Sequence, residues 1–334
     1  MKILFVELLG GLGDVMLALP AISALSRTHG VRVDVVTFTP GDALLRHDPA
    51  VGRVVATSDH RDGAPRRLVE QGLRDGGHDG SPYDLVVTTT TYDGIGAVCA
   101  AGAPRSVTNL WRGAPDGQLV DRRFLALLTD AGAIDATYAD EPLRVVLTDP
   151  ERAAGRAVVD RLTDRRPVVL VPRSGMRIKE WGDDRYAALA AALPDADVLV
   201  SALDPVPALD RWPRLPKGSL RELAGVLAAV GERGGVVVGG DTGPVRLAGA
   251  VGTPTVALFG PTSAGRYGLS AGNAENLQGW PECPVRLPSA ITEQECWWSA
   301  RCPYASVPQC LHDLGMWHVL GAVRDALDAP RHLA

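Results

Sequence analysis

One grammar runs through this chain twice: a short apolar strand, a glycine-rich corner, then a helix. Residues 1–8 (MKILFVEL) are mostly aliphatic and β-branched and soon meet glycine, and residues 14–29 follow with Val15, Leu19, Ile22 and Leu25 at helical spacing. Further apolar runs fall at 31–38, 53–57, 84–90 and 105–110, separated by segments able to form helices. After a polar segment at 149–166 the pattern restarts, with apolar runs at 167–172, 196–201, 234–238 and 254–259. Strands alternating with helices at this spacing predict a parallel sheet covered on both faces. The chain therefore reads as α/β, with two Rossmann-like domains at 1–165 and 166–334. A final helix at 314–327 is expected to pack back onto one of them. The stretch 60–83, rich in Arg, Gly and Asp, reads as a long polar loop.

A length of 334 residues suits two such domains, and 46% hydrophobic with 22% charged residues is the balance of a globular protein. The net charge of −5 argues against nucleic acid or a membrane surface as partner, since both select a basic face. Any substrate phosphate must then be met locally, by helix N-termini and a few placed cations. Only three lysines occur, Lys2, Lys179 and Lys217, so one inside a candidate site carries weight. The N-terminus is not a signal peptide: Glu7 interrupts the apolar stretch and Gly10 to Asp14 end it early. A cytoplasmic location is expected.

Two corners are candidate sites. Ligands of open α/β sheets bind at the carboxyl ends of strands, where glycines admit a substrate to the backbone and a helix N-terminus favours an anion. Gly10-Gly11-Leu12-Gly13-Asp14 is the first such corner, although Asp14 could equally serve as a helix cap. A dinucleotide fingerprint fits it poorly, because the third glycine of G-x-G-x-x-G would fall at Met16. Gly239-Gly240-Asp241-Thr242-Gly243-Pro244 is the second, where amides near Thr242 and Gly243 could hold a diphosphate and Asp241 could accept sugar hydroxyls. Its simple alternative is a capped helix start with Pro244 in the first turn. One corner per domain suggests a site between the domains.

These residues resemble glycosyltransferase family 9, the bacterial heptosyltransferases. Residues 11–25 (GLGDVMLALPAISAL) are similar to the family's N-terminal signature. Residues 241–268 (DTGPVRLAGAVGTPTVALFGPTSAGRYG) are similar to its C-terminal one, D-T-G-x-x-H-L-A followed by a strand and G-P-T. Lys179-Glu180-Trp181 resembles the family's K-x-W, and the cysteine-bearing tail ending in CLHDL (310–314) resembles that of many members. The resemblance implies a GT-B fold, with parallel sheets facing a central cleft, acceptor on the first domain and nucleotide-sugar donor on the second. It implies inverting, metal-independent transfer of a heptose from ADP-heptose to a hydroxyl of a glycan or natural product, at most in peripheral contact with a membrane.

By position, Asp14 would be the general base, Lys179, Thr242 and Gly243 would hold the diphosphate, and Asp241 would hold the donor sugar. Gly13, Ser174 and Gly175 complete the donor set implied by the resemblance. Arg246 stands where the signature has histidine. Arginine binds phosphate bidentately without titrating, so a donor-phosphate contact is expected from it, while the exchange leaves room for another nucleotide-sugar donor. A Rossmann-type NAD(P) oxidoreductase is the alternative from another class, and the missing third glycine weighs against it. Asp14 and Lys179 together weigh against a catalytically silent binder.

Cys283, Cys296, Cys302 and Cys310 cluster in the tail and suggest a thiolate metal site, zinc or iron–sulfur. The absence of paired C-x-x-C spacing shifts the balance toward structural thiols or a labile disulfide. Cys99 reads as a small buried residue, and Trp297-Trp298, which could stack a sugar or base, reads first as an apolar anchor for the tail.

Overall fold

The computed structural model describes residues 1–77, 79–113, 115 and 117–329. Its first unit comprises 1–114 and 120–146, and its second comprises Pro115–Leu119 and everything from Leu147 onward. The first holds strands β1 (Ile3–Val6), β2 (Val33–Phe38), β3 (Val51–Thr57), β4 (Leu85–Thr88) and β5 (Arg105–Val107), with helices α1 (Leu12–His29), α2 (Ala64–Asp75), α3 (Ile95–Ala101) and α4 (Val120–Asp130). The second holds β6 (Pro167–Val171), β7 (Asp197–Val200), β8 (Val236–Gly240), β9 (Thr255–Phe259) and β10 (Ala274–Gln278). Its helices are α5 (Asp149–Leu162), α6 (Asp183–Ala191), α7 (Leu220–Glu232), α8 (Gly243–Ala250), α9 (Ala264–Tyr267), α10 (Glu295–Ser299), α11 (Gln309–Asp313) and α12 (Met316–Asp328).

Each unit is built on a parallel five-stranded sheet, in the order β3-β2-β1-β4-β5 and β10-β9-β8-β6-β7. Strand order reverses between β1 and β4 in one and between β6 and β8 in the other, and at such a reversal the loops leaving neighbouring strands part and leave room for a ligand. The central strands β1, β6, β8 and β9 are buried along their whole length, as near-continuous aliphatic runs covered on both faces should be.

Three elements depart from the sequence reading. Residues 60–83 are not one loop: α2 lies within them and buries Val69 and Gly72. The polar segment at 149–166 is largely α5, capped by Thr148, whose hydroxyl accepts from the Glu151 amide while Glu151 accepts from the Thr148 amide. Helix α5 packs on α7, and Glu151 takes a bidentate pair from Arg221 at 2.6 and 2.8 Å, so the second unit begins near residue 147 and not 165. Strand β10 was not foreseen at all. The terminal helix was, and α12 joins the second unit's core through Val319, Leu320 and Val323. No helix among the described residues is long and apolar enough to cross a membrane.

The α5–α7 contact depends on two glycines. A Cβ on Gly155 would fall inside the Gly225 carbonyl, and one on Gly225 would lie 2.5 Å from the Glu151 oxygen. Gly155→Ala is therefore expected to cost about 1–3 kcal/mol through overpacking, seen as a fall of several degrees in melting temperature. Gly321→Ala in α12, where a Cβ meets nothing within 4 Å, is the control and should be neutral or slightly stabilising.

Candidate functional site

The corner after β1 is turned by Gly10, whose φ of +102° a side chain would resist. Gly11 is the N-cap of α1, and Asp14, in its first turn, accepts the Gly11 amide at 2.9 Å. Asp14 is thus not the N-cap but the residue that reaches back to it, half-buried at the positive end of an 18-residue helix. Gly13 lies in the same turn. Tyr92, just beyond β4, donates its hydroxyl to the Leu8 carbonyl at 2.8 Å, and the His60 ring stacks on Phe38 beneath Gly10.

Sequence reasoning missed a second carboxyl here. Glu7, directly after β1, is 1% exposed, accepts the Leu9 amide at 2.9 Å and takes a longer hydrogen bond of 3.3 Å from the Thr37 hydroxyl. Burial and then the charge of Asp14 push its carboxyl up to about 8. The signal was available: an acid inside an aliphatic strand run has no structural reason to be there.

In the second unit the strand reversal brings two corners together. The loop after β6 carries Ser174, Gly175 and Lys179, and the turn after β8 carries Asp241, Thr242 and Gly243. They can approach because Gly240 has no side chain; a Cβ there would lie 2.6 Å from the Lys179 carbonyl. Lys179 Nζ donates to Asp241 Oδ2 at 3.0 Å and to its carbonyl at 3.2 Å. Glu180 steadies the loop by accepting the Ser174 amide at 3.1 Å, and the Ser174 hydroxyl accepts the Met176 amide. Thr242 is the N-cap of α8 and Gly243 its first residue, yet the Thr242 hydroxyl caps nothing and finds no partner among the described residues.

Arg246 is where the structure departs most from the sequence reading. Expected to meet a phosphate, it is 4% exposed and lies behind Asp241, donating from Nη2 to Asp241 Oδ1 at 3.2 Å and to the Tyr267 carbonyl at 2.5 Å. Its Nη1 is buried without a partner. Burial alone would raise the Asp241 carboxyl, but Lys179 and Arg246 outweigh it and hold Asp241 below the usual carboxylate range.

The tail supplies a residue for which an anchor was the favoured reading over a ring that stacks a sugar or base. The Lys179 ammonium lies 4.9 Å from the centroid of the Trp297 ring, within cation–π range. Gln294 and Arg286 tie this segment to the loop after β9, donating to the carbonyls of Pro261 and Gly260.

The metal site that the clustering of the four tail cysteines suggested finds no support in their arrangement. Among the described residues no group of three or more His, Cys, Asp or Glu side chains is arranged to hold a metal ion, and Cys283, Cys296, Cys302 and Cys310 are free. Cys296 and Cys310 are buried on two separate short helices, and burial raises both thiols, Cys310 to about 12. Cys99 is buried as expected, its thiol likewise pushed up to about 12.

The family model for glycosyltransferase family 9 (heptosyltransferase) matches residues 109–284, just over half of the chain. The matched span includes Lys179, Asp241, Thr242, Gly243 and Arg246. No curated protein matches the sequence. Among solved structures, a glycosyl transferase family 9 protein from Veillonella parvula superposes with a TM-score of 0.74 at 16% identity, covering 98% of this chain and 97% of that one. The ADP-heptose LPS heptosyltransferase II of E. coli gives 0.67 at 18% identity, covering 98% of each chain. The E. coli heptosyltransferase WaaC with ADP gives 0.63 at 20% identity, covering 88% of this chain and 98% of that one.

The buried charges make a prediction about acid stability. A depressed carboxyl stabilises the fold above its unfolded pKa, and that stability is lost as pH falls through the folded value. Arg246→Met leaves Asp241 with one cation and is expected to cost about 1.5–3 kcal/mol at neutral pH. Melting curves should show the gap from wild type narrowing as pH drops below about 4. A gap independent of pH would mean that Arg246 stabilises by packing and not through the Asp241 charge.

Proposed function

The chain belongs to glycosyltransferase family 9, and from that premise we propose that it transfers a heptose from ADP-heptose to a hydroxyl of a glycan or natural-product acceptor, with inversion and without a metal ion. The fold is GT-B and membership makes the chain a glycosyltransferase, which retires the oxidoreductase reading. The observation that carries the proposal is the cluster at the β6–β8 reversal. Lys179, the amides that open α8 and the unpartnered Thr242 hydroxyl collect donors for an anion around an acid suited to sugar hydroxyls. A nucleoside diphosphate with a sugar attached has both parts, and ADP is the nucleotide in the WaaC structure.

In this reading Lys179, Thr242 and Gly243 hold the diphosphate, with Ser174 and Gly175 flanking it on the loop after β6. Asp241 accepts from the donor sugar. Arg246, spent on Asp241 and the Tyr267 carbonyl, is a positioning residue that fixes the Asp241 carboxylate. The acceptor oxygen attacks the anomeric carbon as the bond to the diphosphate oxygen breaks, and Asp14 takes the acceptor's proton. Charge grows on the departing diphosphate, where Lys179 and the α8 amides meet it, so the step needs no Lewis acid. A helix N-terminus keeps Asp14 ionised but weakens it as a base; this suits a proton transfer that comes late, once bonding has made the hydroxyl acidic. Arg246 in the signature's histidine position supports a second reading, the same chemistry with another nucleotide-sugar donor. Five free cysteines fit a reducing compartment, so the proposal includes the cytoplasm.

The test is Asp14→Asn. The Asn side-chain oxygen still accepts the Gly11 amide, so stability should change little, whereas losing a base is expected to lower kcat by roughly 10²–10⁴-fold. ADP release from ADP-heptose with an acceptor measures this. A variant that keeps most of its turnover would leave Asp14 a structural residue of the first turn.

A further inference from the structure

Glu7 is a buried acid that the proposed reaction does not use. Other buried carboxyls of this unit are compensated. Glu141, for example, takes a 2.7 Å ion pair from Arg27 and a hydrogen bond from Ser23. Among the described residues Glu7 has only the Leu9 amide and the Thr37 hydroxyl as hydrogen-bond partners, and no cation of theirs is among the groups that act on it. Burying an uncompensated carboxylate is costly enough that such a group keeps its proton instead.

What faces Glu7 is a second acid. Glu7 accepts from the amide of Leu9 and Asp14 from the amide of Gly11, both in the one turn between β1 and α1. Residues two apart have Cα atoms no more than about 7 Å from each other, so the amides that anchor the two carboxyl groups are near neighbours in the same turn. Asp14 acts on Glu7 through space, and Glu7 in turn acts on Tyr92, which closes the other side through the Leu8 carbonyl. From β2 come Thr37 and Phe38, and His60 stacks on the latter. Two like charges in such a place cannot both ionise freely.

We propose that Glu7 and Asp14 form a carboxylic acid–carboxylate pair that holds one proton at neutral pH, with Glu7 the positioning residue that sets the charge state of Asp14. The proposal rests on reading Asp14 as the base. At rest the proton is on Glu7 and Asp14 is ionised. During transfer the acceptor O–H bond breaks, its proton passes to Asp14 and its electron pair forms the bond to the anomeric carbon; the pair then carries two protons and returns one to water. Keeping Glu7 neutral leaves the turn with one negative charge that the α1 N-terminus can stabilise. Ionising Glu7 adds a second and makes Asp14 more basic. The height of the Glu7 carboxyl, near 8, places that event just above neutrality.

The test needs no substrate, so it fails or succeeds separately from the turnover of Asp14→Asn. In protein labelled with ¹³C at the aspartate carboxyls, the Asp14 signal is assigned by its loss in Asp14→Asn and followed with pH. The expected result in wild type is two inflexions, one of Asp14 itself and one near pH 8 from Glu7. In Glu7→Gln the upper inflexion should vanish while the lower stays. A wild-type signal with no inflexion near 8 overturns the pair without any Glu7 variant, and an upper inflexion that persists in Glu7→Gln assigns it to another group and overturns it equally. Melting temperature gives an independent reading. The folded chain keeps a proton on Glu7 that the unfolded chain releases above about 4.5, so wild type loses stability relative to Glu7→Gln as pH rises from there to about 8. A constant difference over that window would contradict a protonated Glu7.

Discussion

The second unit turns on one buried ion cluster, Asp241 held between Lys179 and Arg246. It exists because β6 and β8 are neighbours across a strand-order reversal, which sends the loop after one strand against the corner after the other. Glycine at 240 permits the approach, and the two cations keep the acid ionised in a place where burial would neutralise it. Replacing such a cluster by apolar residues often costs no stability, so its retention suits function more than folding. The arrangement also presents the Thr242 hydroxyl, which is buried without a partner among the described residues. The proposed donor diphosphate would supply that hydroxyl and Lys179 with an acceptor.

The first unit solves the opposite problem. Its corner after β1 carries two acids, Glu7 and Asp14, tied to amides of a turn that Gly10 makes possible. The chemistry asked of each unit differs in the same way. In the proposed reaction the corner that receives a proton is built of carboxyls, and the one that meets growing negative charge is built of cations and amide donors. This division of labour rests on local electrostatics that each unit possesses by itself.

Much of this was legible in the sequence because the features are local. Nine of the ten strands announced themselves as apolar runs, and both corners as glycine punctuation between a strand and a helix. Strand β10 did not, since Asn276 and Gln278 spend their side chains on backbone groups of Leu269, Phe259 and Gly260, leaving a polar edge strand without alternation. Helix α5 hid in a polar segment because glycine, not leucine, makes its contact with α7. Arg246 was matched correctly to a signature position, but no one-dimensional pattern says on which side of Asp241 a side chain lies. Trp297 reaches Lys179 only through the path of an irregular tail. The cysteines are close enough to act on one another through space, but among the described residues they are not arranged to hold a metal ion.

The central claim is that the Asp241 corner is the donor-diphosphate site, and a crystal structure of the protein with ADP tests it most directly. The account predicts the β-phosphate within hydrogen-bonding distance of Lys179 Nζ and of the amides at the start of α8, with Arg246 still behind Asp241. ADP seated instead at the Gly10–Asp14 turn, or bound with Lys179 and Thr242 untouched, would contradict it.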